Sequence, residues 1–202
     1  MEGAMFYWIC WFYWVLFAFI FNKQNPYRLK LSVAVLVIIA ISNIHFMVAG
    51  IELYASGILL LVISYVLISR EKRRAIIYYF ICSFIVTIAY VTFHLFELFD
   101  PVWIVFKKEW MMGICFCILS LLLQKHVKGR LLIIASGTMQ GEILYAYFLS
   151  RYDIPYSIGS LAFLDVCLLT FMMITGWSAL ENAGSLFGNH FNYLGKTKQK
   201  SS

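Results

Sequence analysis

The sequence predicts an all-α polytopic bundle of seven transmembrane helices, N-terminus outside and C-terminus in the cytoplasm. Three observations predict it. First, 62% of the 202 residues are apolar and 13% are charged, against about 45–50% and about 25% in soluble domains. A water-soluble core of this size cannot hide so much apolar surface, whereas lipid itself covers it. Second, the apolar residues fall into seven runs, most near the roughly 20 residues that a crossing helix needs. Third, the basic residues gather in alternate connections between those runs.

The first run is Gly3 to Phe21. It is not a cleavable signal peptide, because its start lacks Lys and Arg and no A-x-A-like site follows. Phe6, Tyr7, Trp8, Trp11, Phe12, Tyr13 and Trp14 crowd its beginning, and Trp and Tyr favour the interface, so it enters from the outer headgroup layer. The next spans are Leu31–Ala49, Leu53–Ser69 and Ala75–Phe99. The turn near Gly50–Glu52 is so short that spans two and three should form a tight antiparallel helical hairpin. Span five, Lys108–Gln124, has a clean apolar core only from Met111 to Leu123, so Lys107 and Lys108 must snorkel outward, flanked by Trp103 and Trp110. Spans six and seven are Leu131–Leu149 and Gly159–Leu180. Residues 1–181 thus form one membrane domain. Residues 182–202 form a short basic tail, polar, Gly-rich and loosely ordered.

Charge sets the orientation. Lys23, Arg28 and Lys30 precede span two; Arg70, Lys72, Arg73 and Arg74 lie between spans three and four. Lys125, Lys128 and Arg130 lie between spans five and six, and Lys196, Lys198 and Lys200 are in the tail. Seven spans put these 13 of the 16 Lys and Arg residues on one side, leaving Lys107, Lys108 and Arg151 on the other. That is the positive-inside pattern of short loops. If span five only dips into the bilayer, six spans remain and the basic tail moves outside.

The net charge of +6 therefore reads as a topology signal facing anionic headgroups. No basic surface large enough for nucleic acid exists. Cys10, Cys82, Cys115, Cys117 and Cys167 lie in apolar runs with no CxxC or zinc-ligand spacing, and read as small core residues. His126, in a basic loop, and His190, in the tail, read as solvated. Gly137 and Gly141 make a GxxxG on span six, extended by Ser136, of the kind that lets helix backbones approach in lipid. An intramolecular contact is the first reading, with Gly159, Ser160 and Ala162 of span seven as a facing surface; a homo-oligomer contact is the alternative.

Ionisable groups inside a span are expensive, so each needs a reason. Glu142 stands seven residues from the outer end of span six, roughly 10 Å deep, and Asp165 six residues from the outer end of span seven, roughly 9 Å deep. Gln140 adds an amide near Glu142. Asn43 and His45 lie in the outer part of span two. His94 and Glu97, three apart on span four, share a helical face, and Glu52 caps span three. The inner halves of the spans hold no ionisable residue. This asymmetry points to an outward-facing polar pocket of Glu142, Asp165, His45, His94, Glu97, Gln140 and Asn43. The plain alternatives are headgroup-level placement for His94 and Glu97, and interhelical bonding for the others.

His, Glu and Asp are suitable metal ligands, but no HExxH or His-rich tract is present, so no metal or cofactor is expected. No G-x-S-x-G nucleophile elbow and no Gly-rich phosphate loop appears. A retinal protein is excluded because the seventh span has no lysine for a Schiff base.

From its start, Met1-Glu2-Gly3-Ala4-Met5-Phe6-Tyr7-Trp8, through the basic Arg70-Glu71-Lys72-Arg73-Arg74 loop to the Lys-rich tail, the chain resembles the YphA-type membrane proteins of endospore-forming bacteria. The resemblance extends over the whole length in span pattern and size, and carries over no functional residue. It implies a bacterial plasma membrane and a setting in envelope or spore-envelope processes. The leading expectation is a non-enzymatic scaffold or assembly factor that meets membrane lipids and other membrane proteins through its helix faces. A small transporter or sensor built on the outer pocket is the alternative. A second alternative is an intramembrane enzyme acting on lipid or envelope precursors, with His45, His94 and Glu97 as acid–base groups.

Overall fold

Apolar runs without interior proline propagate as helices, and Pro26, Pro101 and Pro155 all fall between the runs. The structure, a computed structural model, describes residues 3–22, 27–48, 51–100, 102 and 104–199; for 27 and 185–199 it describes the backbone alone. Lys23, Gly50, Trp103 and Lys200, and the side chains of His190, Lys196 and Lys198, lie outside that description. Among the described residues there are seven α-helices: α1 Ala4–Val15, running into a π-helical turn Leu16–Ile20, α2 Tyr27–Ile41, α3 Ala55–Ser69, α4 Arg73–Phe99, α5 Lys108–Leu123, α6 Val127–Ser150 and α7 Leu161–Gln199.

α6 is the hub. It packs most extensively on α4 and also meets α3, α5 and α7, while α1 lies on α7 and α2 leans on α1. The hub is buried almost all round from Gly129 to Glu142, while Ile143, Leu144 and Tyr147 beyond it are exposed. It also carries Arg130, Ser136, Thr138, Gln140 and Glu142, so the best-buried helix is among the more polar. α4 shows the opposite arrangement. Val86, Tyr90 and Phe93 face the core, while Ile77, Phe80, Ile81, Phe84 and Ile88 are exposed. Apolar side chains outside and polar ones inside are what a lipid solvent selects.

Among the described residues two helices, Arg73–Phe99 and Leu161–Gly184, are long and apolar enough to cross a membrane. Ala4–Ile20 and Ala55–Ser69 are shorter apolar helices, and α5 has 16 residues.

The expected helical hairpin at Gly50–Glu52 is corrected. α2 stops at Ile41, and strands β1 (His45–Val48) and β2 (Ile51–Tyr54) pair antiparallel with His45 opposite Tyr54. β3 (Ser157–Ile158), entering α7, adds in parallel to β2. The cause is local. Ser42 Oγ donates to the Ile39 carbonyl at 2.8 Å, and Asn43 follows; such side chains compete with the helical ladder. The flanking Ile44, Phe46, Val48, Ile51 and Tyr54 then suit a pleated surface. A second difference lies at the other end. Helix continues through Gln199 rather than loosening after Glu181, there being no proline beyond Pro155.

The GxxxG stripe lies against α4. A Cβ on Gly137 would sit 2.6 Å from Val86 Cβ, and one on Gly141 2.7 Å from Tyr90 Cβ, so both glycines let α4 close onto α6. Thr87 Oγ1 crosses that seam to the Gly137 carbonyl at 3.0 Å. The facing helix is thus α4, not the start of span seven. Gly159, at φ 73°, instead lets the chain pass over Gly57 of α3, where a Cβ would lie 3.0 Å from Gly159 Cα.

Candidate functional site

Glu142 projects from the buried face of α6 and is 0% exposed. A carboxyl group in such a place needs donors, and three elements supply them. Tyr90 of α4 donates its hydroxyl to Oε2. Tyr156, before β3, donates to the same oxygen at 3.0 Å. The Gly159 backbone N–H, between β3 and α7, reaches Oε1 at 3.4 Å. Burial, then the Glu142 charge, pushes the Tyr156 phenol above its ordinary value, so Tyr156 stays a donor.

His94, 4% exposed, joins the same cluster through Tyr90. Its ring stacks on Tyr90 with centroids 4.3 Å apart and lies 4.9 Å from the Tyr145 ring. Its Nδ1 sits 3.1 Å from the Tyr90 carbonyl, one turn back. Tyr145 meets Tyr156 edge-on at 5.1 Å. The centre is therefore a carboxyl ringed by three tyrosines and a histidine. Tyr156 also lines an open cavity of about 390 Å³ with Ser150, Asp153 and Pro155. One wall of that cavity is thus a direct partner of the buried acid.

Asp165 serves other partners. It is 6% exposed on α7 and accepts the N–H of Gly3 at 2.8 Å and of Phe6 at 2.6 Å. These are the N-cap and N3 donors of α1, the two that a capping box satisfies with two local side chains. Here one carboxylate from a distant helix takes both, at the positive end of the α1 dipole.

The remaining expected residues disperse. Glu97 pairs with Lys108 of α5 at 2.6 Å, both partly exposed. Gln140 accepts from Thr87 at 3.2 Å and donates to Tyr65 of α3 at 2.5 Å, tying three helices. Asn43 and His45 are exposed beyond the end of α2 rather than inside it. Asn43 donates to the Tyr7 hydroxyl at 3.2 Å, and His45 faces Tyr54 across the β-hairpin at 5.5 Å. Glu52 lies on β2, opposite Met47 and Ser157. Among the described residues no group of three His, Cys, Asp or Glu side chains is arranged to hold a metal ion.

Two features are not visible in the linear pattern. One is the trio Tyr90, Tyr145 and Tyr156, which stand apart in the sequence and meet only once the helices are assembled. The other is Arg130, which the sequence places in the basic connection before span six. Arg130 is 5% exposed. It donates to the Gln124 carbonyl at 2.7 Å, to Ser178 Oγ at 3.1 Å and to Glu181 Oε2 at 3.0 Å. Trp177 Nε1 donates to the other Glu181 oxygen at 2.8 Å. One arginine so joins the end of α5 and the start of α6 to α7.

The family model described as YphA-like integral membrane protein matches residues 2–200. The uncharacterized protein YphA of Bacillus subtilis (strain 168) is 29% identical over 188 residues, 93% of each of the two chains. No solved structure matches the chain.

Proposed function

The chain belongs to the YphA-like integral membrane protein family, and from that premise we propose a seven-span scaffold or assembly factor of the bacterial plasma membrane. It crosses N-out and C-in and serves envelope or spore-envelope processes without catalysis. One observation carries this reading: the deep carboxyl groups are engaged in holding the bundle together. Glu142 joins α6 to α4 and to the β3 segment, and Asp165 fixes the start of α1 to α7. The connections between helices are short, so a partner meets this protein mainly through its exposed helix faces, such as the Ile77–Ile88 side of α4.

A second reading, a sensor or small transporter, draws support from the cavity beside Tyr156, which places a solvent-facing wall one hydrogen bond from Glu142. The enzyme reading has less behind it, because His45, His94 and Glu97 have separate partners.

The test compares a deletion strain complemented with wild type, Glu142→Gln and Asp165→Asn, scoring membrane abundance and envelope phenotype together. A scaffold requires phenotype to follow abundance in every variant. Phenotype lost at normal abundance for Glu142→Gln would transfer the assignment to the sensor or transporter.

A further inference from the structure

The bundle has a weak seam. α2 leans on α1 and touches α3 sparingly, and two apolar cavities run along that seam side by side. One, of about 450 Å³, lies between α2 and α3 and has Leu29 and Lys30 at one end. The other, of about 210 Å³, follows α3 from Ser56 to Leu67 and is closed behind by Ala135 of α6 and Leu164 of α7. Ile38, Leu59 and Ile63 line both, forming a low wall between them.

Length and charge identify what fits. From Lys30 to Ile38 is about 12 Å of helix, close to the roughly 15 Å depth of one leaflet of hydrocarbon. Both cavities reach the same end of the bundle, marked by Lys30 on α2 and by Leu67 on α3. That end is cationic. Lys30 is exposed and takes no part in the ion pairs among the described residues. Arg70 stands at the C-cap of α3. Arg28, by contrast, is engaged with the Ala18 carbonyl. Two parallel apolar furrows under a free cation match a two-chain amphiphile with an anionic head.

We infer that this seam is a binding site for one anionic glycerophospholipid, its phosphate at Lys30 and its two acyl chains astride the Ile38–Leu59–Ile63 wall. A lipid held there would complete the packing of α2, which buries little of its own surface against protein.

The experiment is native mass spectrometry of the full chain released from nanodiscs of equal phosphatidylglycerol and phosphatidylcholine. One phospholipid is expected to stay bound per chain, with phosphatidylglycerol preferred. Lys30→Gln, on an exposed side chain, should cut that preference about fivefold, the worth of one cation near a membrane surface. Ala135→Leu, filling a furrow from behind, should lower retention of both lipids. Release of bare protein, equal retention of the two lipids, an unchanged preference in Lys30→Gln, or a dimer in place of the lipid-bound monomer would each overturn the assignment. Nanodiscs load from both faces, so the result stands apart from the orientation proposed above.

Discussion

Glu142 accepts three hydrogen bonds where no water reaches, so its removal and its neutral replacement should differ. Glu142→Ala leaves two phenols and one amide without an acceptor. An interhelical bond in a membrane bundle is worth about 0.6 kcal/mol on average, and an orphaned buried donor about 1–3 kcal/mol, so a loss of about 2 kcal/mol is expected in detergent melts. Glu142→Gln keeps an acceptor oxygen and lets the hydroxyls rotate, and should lose less than half as much; equal losses would refute the bonding scheme. Tyr156 adds a pH signature. Its phenol is raised above the ordinary 10.0 when folded, so its share of stability is complete below that value and fades as pH climbs beyond it. Melting temperature should therefore fall less steeply above pH 10 in Tyr156→Phe than in wild type. Asp165 acts as a borrowed cap. Asp165→Ala should cost about 1–2 kcal/mol, with faster amide exchange confined to the first turn of α1. These two acids stand out in the sequence because carboxyl groups inside apolar runs are rare. Their partners do not, because Tyr90 and Gly3 become neighbours only once α4 and α1 are in place.

At the scale of elements, α4 against α6 is the principal joint, and its closeness depends on two missing side chains. A leucine at Gly141 would meet the Tyr90 ring, whose Cβ already lies 2.7 Å from an added Cβ. Overpacking of this kind costs about 1–3 kcal/mol and should here also displace Tyr90 from Glu142. Gly141→Leu is therefore expected to accumulate poorly and melt early, while size-exclusion chromatography shows the same oligomeric state as wild type. A shift in oligomeric state alone would mean the stripe faces another copy. The GxxxG was legible as a packing surface, since its meaning is steric and local. Which helix it faces was not, because chain neighbours and spatial neighbours differ in this bundle. The β-hairpin is hidden in the sequence for another reason. Ile44 to Tyr54 is as apolar as the helices around it, and periodicity cannot separate a short apolar strand from helix; only Ser42 and Asn43 hinted at the stop.

For the whole molecule, solvent choice was legible because it is written in composition and in the spacing of charge, both of which survive ignorance of the fold. The structure adds an inverted interior: buried Glu142, Asp165, His94 and Arg130 against exposed Phe80, Phe84 and Ile88. Orientation is the part that charge predicts and packing does not. The proposed orientation, with 13 of 16 basic residues on one side, requires α5 to cross fully, although its 16 residues span only about 24 Å. In that arrangement the Lys108–Glu97 pair would stand at one end of the span, and local thinning of the bilayer would accommodate so short a stretch at a modest cost. Two positions decide the matter. His126 lies between α5 and α6, and Tyr152 after α6; both are exposed. In a background where the exposed Cys115 is replaced by Ser, Tyr152→Cys should react with a membrane-impermeant maleimide on intact cells. His126→Cys should react only after permeabilisation. If α5 merely dips into the outer leaflet, the two swap behaviour, and the basic tail lies outside with His126. That result would remove the positive-inside argument and the seven-span topology together, while leaving the Glu142 and Asp165 contacts untouched.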